Sequence, residues 1–110
     1  MNHLPLRGTN VRIMHPDPFL SAGLVAALRV YAGVEVFVHG AGSASADEPQ
    51  VDVVVADYGT ALQPADGEVR RSYGLPGSAK VLALTPNDRE VDIRRAIEAG
   101  VYGYLLAGRP

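Results

Sequence analysis

The chain has 110 residues, 47% apolar and 20% charged, and no cysteine, which suits one domain and excludes a disulfide framework, a thiolate metal site and a cysteine nucleophile. The net charge is −2 and the basic pairs stand only at Arg70-Arg71 and Arg94-Arg95, so this chain is no electrostatic DNA binder. No apolar run reaches the ~20 residues of a membrane span and Met1 to Asn10 lacks a signal-peptide core, so a cytoplasmic protein with no membrane partner is expected.

Met1 to Asn10 is expected to be a flexible N-terminus. Val11 to Met14 predicts a first strand. His15-Pro16-Asp17-Pro18 follows, with Asp17 suited to an N-cap and Pro18 to the first helical position. Leu20, Leu24, Ala27, Leu28 and Tyr31 keep helical spacing, predicting a helix from Pro18 to Ala32 that Gly33 ends. Val34 to His39 predicts a second strand. Gly40 to Gln50 is small and polar and predicts a loop with at most a turn of helix.

Val51 to Ala56 is a near-continuous apolar run, fitting a central parallel strand covered on both faces, and it ends at Asp57. Tyr58 to Ser78 has weak periodicity, with a short helix expected near Asp66 to Tyr73. Lys80 to Leu84 predicts a fourth strand ending at Thr85. Asn87 and Glu90 have capping-box spacing for a last helix, with Ile93, Ala96, Ile97 and Gly100 on its buried face. Val101 to Leu106 predicts a fifth strand.

Strands alternating with helices imply one α/β domain over residues 1–110, a five-stranded, doubly wound parallel sheet of flavodoxin-like type. Chemistry in such sheets sits at the carboxyl ends of the strands. That edge carries His15, Asp17, Asp57, Thr85 and Ala107. One imidazole and two carboxylates make a borderline-metal set, but an open edge of this fold commonly gathers three such residues, and no metal is expected. His3 and His39 read as surface residues. The glycines form no dinucleotide fingerprint. A flavodoxin-like small-molecule binder rests on fold analogy alone.

The strand-end residues resemble those of response-regulator receiver domains of the LuxR-type transcriptional regulators. The stretches that carry the likeness are Val81 to Thr85 and Ala96 to Leu106, supported by Val53 to Asp57 and Pro18 to Leu24. In that register Asp57 falls on the phosphoacceptor, Thr85 on the hydroxyl switch residue and Tyr104 on the aromatic rotamer switch. In the family, an acidic pair after the first strand holds Mg²⁺, and a lysine joins it in neutralising the phosphoryl group.

The resemblance breaks at those positions. His15 and Pro16 replace the acidic pair, and Ala107, followed by Gly108, replaces the lysine. The methionine-proline turn after Asp57 is missing, the nearest proline being Pro64. Asp17, one residue beyond the pair, is the one candidate rescue ligand, so Mg²⁺ is expected only if Asp17 and Asp57 form a residual site. No other cofactor and no catalytic activity is expected.

The second helix is expected to be reduced and the fifth absent from the chain. A helix-turn-helix domain would follow it in the family, so DNA would be met only through a domain outside these residues. The resemblance implies a degenerate receiver, regulating transcription by dimerisation or ligand binding without phosphorylation. Its dimer face would be the remnant from Asp88 to Leu106. The alternative is a working receiver in a two-component phosphorelay, phosphorylated on Asp57 by a sensor histidine kinase.

Overall fold

The computed structural model describes residues 8–38, 50–63 and 78–107. His3, His39, Pro64, Arg70-Arg71, the helix expected near Asp66 to Tyr73, Gly108 and all but the last residue of the Gly40 to Gln50 loop lie outside them. The elements in chain order are β1 (Thr9–Met14), α1 (Pro18–Leu28), β2 (Val34–Val38), β3 (Val53–Ala56) and α2 (Tyr58–Leu62), then β4 (Lys80–Thr85), α3 (Glu90–Glu98) and β5 (Gly103–Leu106). The strands form one parallel sheet in the order β2-β1-β3-β4-β5. β3 is central, as its apolar run predicts. No helix among the described residues is long and apolar enough to cross a membrane.

Both faces of the sheet are covered. On one, Met14, Val54, Ala56, Val81 and Ala83 pack with Ala61 of α2 and Ala96 of α3. On the other, Val11, Val55 and Leu84 meet Leu20, Leu24 and Leu28 of α1. The period-2 alternation of strand side chains sorts these residues between two layers. The register aligns Met14, Ala56, Ala83 and Tyr104 in one row, so the residues after them form the carboxyl-end edge.

Several local expectations are corrected. The N-terminal segment is not free up to Asn10. Thr9 donates to the Gly33 carbonyl at 2.7 Å, and the Asn10 side chain donates to the Gln50 carbonyl at 2.9 Å. α1 stops at Leu28, because Tyr31 N–H returns to the Leu28 carbonyl and Val34 N–H to the Tyr31 carbonyl, turns that replace the helical ladder. Gly33 does adopt positive φ, +86°, but in the turn into β2. Ala27 and Tyr31 are exposed. α2 begins directly after Asp57, where no helix is expected. α3 starts at Glu90 with Arg89 as N-cap, so the Asn87–Glu90 capping box does not form. Asn87 Oδ1 instead accepts from Arg89 N–H at 3.1 Å, an Asx turn. Ile97 is exposed, while Gly100, with φ of +100°, closes the helix.

Asp17 and Pro18 start α1 as the sequence predicts. Asp17 Oδ1 accepts from Phe19 N–H at 2.9 Å and Leu20 N–H at 3.2 Å. Asp17→Ala leaves those amides to water and is expected to lower stability by about 1 kcal/mol. Urea unfolding followed by circular dichroism measures the loss.

Candidate functional site at the strand ends

Three groups of side chains stand along this edge. The first is built on His15. Its Nδ1 accepts from Asp17 N–H at 3.1 Å, so Nε2 carries the proton and donates to the Leu84 carbonyl at 3.2 Å. The ring therefore ties the end of β1 to the end of β4. The His15 carbonyl accepts from the buried Ser21 hydroxyl at 3.4 Å, joining this corner to α1. Pro16 is exposed and offers neither carboxylate nor N–H.

The second group is Asp57 itself. It caps α2 with its backbone, the Asp57 carbonyl accepting from Ala61 N–H at 2.7 Å, while its side chain makes no capping bond. Asp57 Oδ1 is buried and has no hydrogen-bond partner. A buried acceptor left unpaired costs about 1–3 kcal/mol, more when charged. This atom is the exception in the site.

The third group is centred on Asn87. Its N–H donates to Thr85 Oγ1 at 3.2 Å and its carbonyl accepts from the Tyr104 hydroxyl at 2.6 Å. Its side-chain amide donates to Asp92 Oδ2 at 3.1 Å. Tyr58 completes the group. Its ring stands edge-on to Tyr104 with centroids 6.3 Å apart, and its hydroxyl donates to the Asp92 carbonyl at 3.0 Å. Thr85 and Tyr104 are thus linked through one residue, and Tyr104 is held against the core. Sequence reasoning missed Tyr58 and assigned Asn87 only a capping role. An aromatic residue directly after a strand-end aspartate is the one local signal that points to Tyr58.

Burial, followed by the neighbouring Tyr58, Asp92 and Asp88, holds the Tyr104 phenol above its ordinary pKa. The unfolded chain therefore releases this proton at lower pH than the native one. The stability linked to it is complete below the ordinary tyrosine pKa and is lost as pH rises through the native value. Alkaline titration of tyrosine absorbance should show a late-ionising group that Tyr104→Phe removes and Tyr58→Phe moves down.

Ala107 ends the edge. Its N–H donates to the Thr85 carbonyl at 2.9 Å and its methyl packs on the α1 side of the sheet. It brings no cation to the position where the resemblance implies one. The residues present do not fit a magnesium site. Pro16 has no side-chain oxygen, His15 Nε2 points a proton at Leu84, and Asp17 Oδ1 already accepts two amides. Among the described residues no cluster of three or more His, Asp or Glu is arranged to hold a metal.

No family model and no curated protein matches this sequence. Among solved structures the chain is similar to a CheY-like response regulator protein from Mesorhizobium loti. The TM-score is 0.66 at 17% identity, covering 94% of this chain and 89% of that one. It is also similar to a response regulator from Thermotoga maritima, with a TM-score of 0.64 at 15% identity, covering 94% of this chain and 87% of that one. At such identities the likeness is one of architecture. The sheet order and the helices on both faces give this chain the CheY-like, flavodoxin-like fold of receiver domains.

Proposed function

We propose that this chain is an atypical receiver domain of a LuxR-type transcription regulator, a non-enzymatic cytoplasmic module that works without phosphorylation. The observation that carries this reading is the state of His15. It stands where the acidic pair is expected, and both its ring nitrogens are engaged by the protein's own backbone. With Pro16 and Ala107 beside it, the edge among the described residues lacks the acidic pair and the lysine that stabilise phosphoryl transfer. Regulation then falls to dimerisation or to ligand binding. Val91, Ile97, Leu105 and Leu106 are exposed and support the Asp88 to Leu106 segment as a dimer face. DNA contact would belong to a helix-turn-helix domain and not to these residues.

A second reading has one observation in its favour. Asp57 Oδ1 accepts no hydrogen bond, which leaves its lone pairs unengaged, although attack on a phosphodonor would first require this buried atom to be uncovered. In that reading a histidine kinase phosphorylates Asp57, and Mg²⁺ is the cofactor. Intact mass after incubation with acetyl phosphate and Mg²⁺ separates the two. The expected result is an unchanged mass for the folded chain. A phosphoryl adduct that disappears in Asp57→Ala would overturn the atypical reading and leave the second one standing.

A further inference from the structure

α3 is weakly seated by apolar contact. Of Glu90–Glu98 only Ala96 is buried, Asp92 and Ile93 are half-buried, and Val91 and Ile97 are exposed. A surface helix is normally held by the apolar stripe that it turns to the core, and here that stripe is narrow. Polar contacts reach its first turn instead. The hydroxyl of Tyr58, the first residue of α2, donates to the Asp92 carbonyl at 3.0 Å. A carbonyl oxygen has two lone pairs, so Asp92 can serve its own helix and Tyr58 together. The Asn87 side-chain amide donates to Asp92 Oδ2 at 3.1 Å. The Tyr58 ring also stands edge-on to Tyr104 of β5, 6.3 Å between centroids, and both rings pack on the core cluster that contains Ala96. One side chain thus joins α2, α3 and β5. The Asp57 carboxylate, one residue earlier, makes no capping bond to α2, and its Oδ1 has no partner.

We propose that Tyr58 is the positioning residue of the Asp88 to Leu106 face, a lock that holds α3 and Tyr104 in one arrangement whatever the state of Asp57. Tyrosine suits the task, since its apolar body packs in the core while its polar tip reaches a backbone carbonyl. Tyr104 is held from two sides, by the Tyr58 ring and by the bond of its own hydroxyl to the Asn87 carbonyl at 2.6 Å. A face fixed in this way forms without any covalent event, as regulation without phosphorylation requires. The inference deepens the proposed function and rests on its reading of Asp88 to Leu106 as the working face.

Amide hydrogen exchange followed by NMR tests the lock, on chain dilute enough to be monomeric and with the amides of β1 and β3 as the gauge of global opening. Tyr58→Phe keeps the ring and removes the hydroxyl. The expected result is exchange of the α3 amides faster by roughly 3- to 10-fold relative to the gauge, as the loss of one net hydrogen bond implies. Tyr58→Leu, which removes the ring as well, should also move the Tyr104 ring resonances, and Asp57→Asn should leave the α3 ratio as in wild type. An α3 ratio unchanged in Tyr58→Phe would overturn the lock. So would a ratio that Asp57→Asn raises as far, because the face would then follow Asp57. A Tyr58→Phe chain that does not fold would overturn it too, since the hydroxyl would then serve the whole fold and not α3. Sedimentation decides the dimer and the phosphodonor experiment decides phosphorylation. Neither enters the exchange ratio of the monomer, so those readings and the lock fail separately.

Discussion

Ile13→Ala is expected to lower the stability of the domain by about 2–5 kcal/mol. Ile13 is fully buried in β1. The register sets it between Val38 of β2 and Val55 of β3, so strands flank it on both sides and neither can move in to fill the space. Truncation removes three heavy atoms from the apolar interior and leaves a cavity that a hydrogen-bonded sheet relaxes into poorly. A domain of this size is stable by about 5–15 kcal/mol, so the loss is a large fraction of the whole. Denaturant titration should show the midpoint shifted well down with the slope nearly unchanged. A loss below about 1 kcal/mol would mean that β2 and β1 separate easily, and that the sheet is anchored mainly by β3 and β4.

What the sequence makes legible follows from the range of the interactions involved. The start of α1 is readable because Asp17 and Pro18 act on amides two and three residues away. β3 is readable because a buried parallel strand needs an unbroken apolar run, although Asp52 delays its start. Asp52 Oδ2 accepts from Asn10 N–H at 2.8 Å, and its backbone bridges Asn10 and Lys80. The end of α1 misleads because Tyr31 keeps the helical period while its N–H makes a tight turn. α2 is invisible because five residues, one of them Gly59, are too few to display a period. Asp57 and Thr85 are found because they close apolar strand runs, and Tyr104, inside β5, only through the register of the family resemblance. Their partners are not, since the Tyr58–Tyr104 contact and the His15–Leu84 bond join residues far apart in the chain.

Asp57→Asn is expected to raise stability by up to about 1 kcal/mol, the part of the cost of the unpaired oxygen that belongs to its charge. Most substitutions destabilise, so a gain at a position inside the structure needs a specific cause. Here the cause is Asp57 Oδ1, buried without a hydrogen-bond partner at the end of the central strand. The amide keeps the shape of the side chain and the backbone cap on α2 but puts a neutral oxygen where the unpaired one stands, and a neutral acceptor costs less than a charged one to leave without a hydrogen bond. Thermal melts in a buffer without divalent ions should show a higher midpoint for Asp57→Asn than for wild type. The sign of the result bears on function. A carboxylate held at a cost to the fold is a strained site of the kind that activity maintains, and stability is commonly regained when such a residue is replaced. A gain would show that Asp57 remains a poised group even though His15, Pro16 and Ala107 have replaced its usual company. A loss would show that the carboxylate is a structural member of the edge, and would remove the one observation that favours a phosphoacceptor.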